Sequence, residues 1–152
     1  MTSPLRRLAL TGVCLAALAW TGATGAQTPQ TPQQRQMDMI VRAWTKRLNA
    51  GDNAGVARLF RVPATVIQQP YRYRFTTRAQ IAEWHSGLPC SGRIVAISFR
   101  RNTTTATFKL GNRGTTPCDG PAKLAAARFT IVKGLITVWE QVPVPKTSST
   151  TA

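Results

Sequence analysis

Phe129-Thr130-Ile131-Val132-Lys133-Gly134-Leu135-Ile136-Thr137-Val138-Trp139 reads as two β-strands folded back on each other. Lys133-Gly134 sits between two β-branched runs, and glycine takes the positive φ of a tight hairpin turn without steric cost. The two strands extend over residues 123–132 and 135–142. Upstream, residues 93–100 and 103–110 repeat the pattern around Arg101-Asn102, and a glycine-rich loop over 111–121 separates the two hairpins. Four consecutive strands joined in this way predict an antiparallel meander.

The N-terminal half has a different period. Met37, Ile40, Val41, Trp44 and Leu48 recur at helical spacing, which predicts a helix over 37–49. Asn49-Ala50-Gly51 ends it, with Gly51 suited to a left-handed cap. Asp52 can cap a second short helix over 53–60, with Val56, Leu59 and Phe60 on its apolar face and Pro63 as the stop. Residues 65–68 read as a short strand, and 71–75 as a half-buried one with Tyr71, Tyr73 and Phe75 opposite Arg72 and Arg74. Thr77-Arg78-Ala79-Gln80 has the capping-box form, so a third helix begins there with Ile81, Trp84 and Leu88 on its face. The order predicts an α+β domain in which a curved antiparallel sheet packs the helices on one face.

Residues 1–26 have the layout of a secretory signal peptide. Arg6 and Arg7 precede an apolar run over 8–20, and small residues lead to Ala26, so cleavage would leave Gln27 as the N-terminus. The run is too short for a comfortable membrane span. Paired arginines suit either the general or the twin-arginine route, and the product would be periplasmic or secreted, with no stable membrane insertion. Residues 27–35 read as a flexible leader and 146–152 as a disordered tail, leaving a domain over 36–145.

Cleavage would also remove Cys14 and leave Cys90 and Cys118. An even count in an exported chain favours a disulfide between them. Two cysteines and one distant histidine lack zinc-ligand spacing, so no metal is expected, nor any cofactor. The chain carries 20 basic and 5 acidic residues; losing Arg6 and Arg7 with the signal gives a formal charge of +13. Such a charge attracts polyanions. The bases are nevertheless dispersed, with no run longer than two, which equally describes a solubilising surface.

The turn at Asn49-Ala50-Gly51-Asp52 between the first helices, the third helix after short strands, and the hairpin ending at Trp139 together resemble the nuclear transport factor 2-like fold. They are most similar to its SnoaL-like subgroup, which includes polyketide cyclases and limonene epoxide hydrolase. The resemblance covers nearly all of residues 36–143. It implies a cone-shaped domain with an apolar pocket at its open end and, often, a homodimer formed through the outer sheet face. The epoxide hydrolases of the group use an Arg-x-Asp pair on a middle strand and an aspartate two positions after the tryptophan of the last strand. These positions correspond to Lys109, Gly111 and Gln141. Neither Gly111 nor Gln141 offers the carboxylate needed to activate water, so that reaction is not expected.

Under the resemblance Trp44, Trp84, Trp139, Gln141 and Lys109 would line the pocket, with Lys109 near an anionic end of a small, partly apolar ligand. The tryptophans equally suit a filled core. His85, the one histidine, borders the buried stripe; it reads as a packed residue or as an acid-base group. If Trp139 and Gln141 face the pocket, Glu140 faces outward with Ile136 and Val138; in the opposite orientation it becomes a general base. Asp38 would open the first helix, where a carboxylate suits the helix dipole, Asp119 sits in the turn Cys118-Asp119-Gly120, and Glu83 is expected in solvent. Three functions follow: a ligand-binding domain, a cyclase or isomerase using His85 or Glu140, and a cationic envelope protein that binds polyanions.

Overall fold

A computed structural model of the chain describes residues 29–146. The expected signal peptide, and the tail beyond Lys146, lie outside the described residues. The elements are α1 (Pro32–Asn49), α2 (Asn53–Arg58), β1 (Phe60–Gln68), β2 (Tyr71–Phe75), α3 (Arg78–Ser86), β3 (Cys90–Arg100), β4 (Thr103–Asn112), β5 (Leu124–Val132) and β6 (Leu135–Val142).

The six strands form one sheet in the order β2-β1-β6-β5-β4-β3. The chain leaves β1 through β2 and α3, re-enters the sheet at its far edge as β3, and walks back strand by strand. The walk brings β6 beside β1 running the same way, so this pair is parallel while every other neighbouring pair is antiparallel. The sheet is therefore mixed where the meander alone predicted antiparallel pairing. The helices cover one face. The α1 stripe Met37, Ile40, Val41, Trp44 and Leu48 is buried as its period requires. It meets Phe60, Val66, Phe108, Phe129, Ile136 and Trp139 from the sheet. Each such side chain, fully buried, contributes about 1.5–3 kcal/mol.

Three differences from the sequence reading bear on the packing. First, α1 begins at Pro32, inside the stretch 27–35 expected as a flexible leader. The Thr31 hydroxyl accepts from the Gln34 N–H and the Gln34 side chain accepts from the Thr31 N–H, so a capping box stabilises a first turn that has no apolar stripe to announce it. Asp38 consequently lies beyond the first turn and pairs with Arg42, one helical turn on, at 2.7 Å. Second, Phe60 opens β1 and does not close α2, and Pro63 lies within the strand. It is tolerated because the pairing with β6 shifts register between Phe60 and Thr65, where no ladder hydrogen bond needs a proline N–H. Third, a register shift between Thr130 and Ile131 lets Ile136 turn inward. Ile136 is fully buried and not outward beside Val138 as strict alternation predicts.

Candidate functional site

A cavity of about 200 Å³ opens between the C-terminal half of α1 and the concave face of the sheet. Trp44 of α1, Phe108 of β4 and Trp139 of β6 supply its aromatic surface, and Leu48, Leu88 and Leu110 add aliphatic wall. The room exists because β5 presents Ala125 and Ala127 there instead of large side chains. Gly92 of β3 also lines it; a Cβ at that position would stand 3.1 Å from the Phe108 ring. The Asn49 side chain both donates to the Gly92 carbonyl and accepts from its N–H, each at 2.9 Å. It thereby acts as a strand neighbour that ties the end of α1 to β3 beside the cavity.

The polar part of the lining comprises Gln68, Gln141, Ser91, Thr45 and Asp119. The Thr45 hydroxyl is already committed to the Val41 carbonyl at 2.8 Å. No lysine, arginine or histidine lines the cavity among the described residues. Asp119 reaches it because the disulfide between Cys90 and Cys118 ties the glycine-rich loop to the start of β3. Its Oδ1 lies 3.2 Å from Cys90 Sγ. Asp38, Asp52 and Glu140 each pair with an arginine, whereas Asp119 has no ion-pair partner among the described residues. Cys90, Cys118 and Asp119 lie close enough together to resemble a metal site, but both sulfurs are bonded to each other and carry no thiolate charge.

Of the residues expected in the pocket, Trp44, Trp139 and Gln141 line it. Trp84 does not; it packs edge-on against Trp139, with ring centroids 5.1 Å apart. Lys109 is a correction: Phe108 faces inward, so by alternation Lys109 points out, opposite Arg93 of β3. Glu140 also lies on the outer face, next to inward Trp139, and meets Arg128 of β5 at 3.4 Å. It is not the general base considered for a proton-transferring enzyme.

His85 is not an available acid-base group either. It is fully buried at the end of α3. Its Nδ1 is 2.7 Å from the Ile81 carbonyl, and Trp44 Nε1–H donates to its Nε2 at 3.1 Å. Those partners assign a neutral ring protonated at Nδ1, with both nitrogens occupied. Burial pushes its pKa down to about 4, and the Arg113 charge adds to the shift. Arg113, unremarked in the sequence, is itself buried. It donates to the His85 and Leu88 carbonyls at 2.5 and 3.0 Å and to the Asn53 side chain. A cation at the C-terminal end of α3 also complements that helix's dipole. Asp52 caps α2 as expected: the Gly55 N–H donates to it at 2.8 Å, and this bond holds its carboxyl below the usual range.

Sequence reasoning thus missed Asp119, Gln68 and Ser91 at the cavity. Asp119 could have been found by placing the Cys90–Cys118 bridge first, since the bridge carries the neighbouring aspartate to the start of β3.

No protein-family model matches the chain, and no curated protein matches it. Solved structures do. A candidate polyketide cyclase from Sinorhizobium meliloti superposes with a TM-score of 0.59 at 18% identity, over 70% of this chain and 98% of that one. An NTF2-like protein of unknown function from Cytophaga hutchinsonii gives 0.58 at 10% identity, over 76% and 93%. A Catenulispora acidiphila protein with a ketosteroid isomerase-like fold, solved in complex with trimethylamine, gives 0.52 at 18% identity, over 68% and 84%. Identities this low speak to architecture and not to chemistry. With its six-strand sheet wrapped around N-terminal helices and a cavity between them, the chain has the nuclear transport factor 2-like, SnoaL-like fold.

Proposed function

We propose that this domain binds a small, partly apolar molecule in the cavity, and that the ligand's polar end is an amine or another hydrogen-bond donor. The observation that carries this reading is the lining itself. Aromatic and aliphatic walls meet a polar part made of two amides, a serine and the unpaired Asp119, without a cationic side chain. An anionic ligand would find no cation there, since Lys109 lies on the other face of the sheet. The trimethylamine complex of the Catenulispora acidiphila protein is a precedent for that ligand class in this fold. A volume of about 200 Å³ is small beside the roughly 300–1,000 Å³ of drug-sized sites, so the ligand is correspondingly small.

Calorimetry with cyclohexylamine and cyclohexanecarboxylate, which share an apolar body and differ in charge, tests this. The amine is expected to bind at least ~10-fold more tightly, a preference of about 1.4 kcal/mol. Ala127→Leu, which fills the cavity, is expected to remove binding of both while leaving the melting temperature within a few degrees of wild type. Equal binding of the two probes would sink the choice of polar end. Undiminished binding to the Ala127→Leu protein would sink the cavity.

We also infer that the protein is exported. The charged, apolar and small-residue order of residues 1–26 supports it, and the Cys90–Cys118 bridge fits an oxidising compartment. N-terminal sequencing of protein from the envelope fraction of its host should begin at Gln27. Recovery of the full-length chain in the cytoplasm would overturn the inference.

A further inference from the structure

The bases that are scattered in the sequence gather once the strands are in register. On the sheet face away from the helices, Arg74, Thr65, Val138, Thr130, Thr103 and Arg100 line up as one row across all six strands. At about 4.8 Å per strand the row spans roughly 24 Å. Beside it runs a second row, Arg72, Ile67, Glu140, Arg128, Thr105 and Ser98. Lys109 and Arg93 form a cross-strand pair further along the same face. Arg72, Arg74, Arg93, Arg100, Lys109 and Arg128 are all exposed. The one acid of the face, Glu140, is taken by Arg128. The other five cations have no carboxylate partner among the described residues.

The resemblance would put a second copy on this face, but its unpaired cations would then face cations; the shape narrows further what the face can hold. The helices fill the concave side, so this side is convex, with Arg72 and Arg74 at one edge strand and Arg93 and Arg100 at the other. A flat bilayer laid on it would meet the middle, where Val138, Ile67 and the Arg128–Glu140 pair lie, and leave the edge arginines short of the headgroups. Base stacking has no platform either. Tyr73, Phe75, Phe99, Phe108, Phe129 and Trp139 all belong to the opposite face. A flexible chain of anions can instead drape from edge to edge.

We propose that the convex sheet face binds a linear, flexible polyphosphate-type polyanion. It lies across the strands with arginines at both ends and the Thr65 and Thr130 hydroxyls donating between them; the Thr103 hydroxyl is already committed to the Arg100 carbonyl at 2.7 Å. The planar guanidinium fork can hold two oxygens of one phosphate at once. The association is expected to weaken with salt. With about four phosphates neutralised, the slope of log affinity against log salt is roughly −3, in the manner of single-stranded polyanions.

Long-chain inorganic polyphosphate binding to the full protein tests this at several salt concentrations. Replacing Arg72, Arg74, Arg93 and Arg100 together by glutamine is expected to weaken binding at least ~10-fold and to flatten the salt slope. A charge-matched variant carrying Arg35→Gln, Lys46→Gln, Arg58→Gln and Lys133→Gln is expected to lose much less. Equal losses in the two variants would mean that net charge alone is being read, and would overturn the proposal. Tighter binding to anionic phospholipid vesicles than to polyphosphate would overturn it as well. Neither outcome bears on the cavity, whose probes bind on the other side of the sheet.

Discussion

Urea unfolding at pH 7 and at pH 4 is expected to differ by roughly 3 kcal/mol through His85 alone. The ring is fully buried, and its pKa falls from 6.5 to about 4 on folding. Between those values the unfolded chain binds a proton that the folded one does not. The contribution is therefore fully present above pH 6.5 and is lost as the pH falls toward 4. The cause is geometric. An imidazolium would have to donate from Nε2, but Nε2 faces the Trp44 N–H, itself a donor, and Arg113 lies against the same helix end. Protonation would thus break the Trp44 bond and place two cations together in a buried site. His85→Gln keeps an acceptor for Trp44 and removes the titration. That variant should be less stable at pH 7, yet its stability difference between pH 7 and pH 4 should shrink by roughly 3 kcal/mol relative to wild type. An unchanged difference would show that carboxylates carry the acid sensitivity.

His85 also illustrates what the sequence disclosed. Its position four residues after Ile81 placed it at the border of the apolar stripe, but only the packing of α1 against α3 reveals that Trp44 occupies its second nitrogen. Local signals fared well. The hairpin at Lys133-Gly134, the Thr77–Gln80 capping box and the Asp52 cap all stand where they were expected, because each depends on residues within a few positions of one another. Pairing was less legible. The parallel β1–β6 contact arises from where the chain re-enters the sheet, and the register shift that buries Ile136 has no local sequence mark. Lys109 differs for another reason: its outward face follows from inward Phe108 by alternation, and its correspondence with the epoxide hydrolases' arginine does not carry that arginine's place in the pocket. The cavity needed the most long-range information. Trp44, Trp139 and Gln141 could be named from their elements, whereas Asp119 enters only through the cross-link.

That cross-link should dominate stability. Reducing Cys90–Cys118, or replacing both cysteines by serine, is expected to lower the unfolding free energy by roughly 3–4 kcal/mol, as the chain-entropy model gives for a closed loop of this length. The bridge spans 28 residues, containing all of β3 and β4 and most of the loop that follows. Its effect should not stop at stability. Cys90, Ser91 and Asp119 all touch the cavity. The loop is anchored at its start by the Arg113 side chain and the Arg113–Thr116 bridge, and at its end by the pairing of Leu110 with Ala122 and Lys123, but beside Asp119 itself the bonds are only Cys118 N–H to the Asn112 side chain and Lys123 N–H to the Gly120 carbonyl. Without the sulfur bridge Asp119 is free to leave the mouth, while Trp44, Phe108 and Trp139 keep their places in the core. The double-serine variant should therefore bind cyclohexylamine more weakly but lose little of any affinity for an uncharged ligand of the same size. Denaturant unfolding and calorimetry on one preparation separate the two effects. A variant that unfolds at the wild-type urea midpoint would contradict the stabilising role. One that is destabilised yet keeps its full preference for the amine would show that Asp119 is positioned by the loop itself, with the disulfide serving the fold alone.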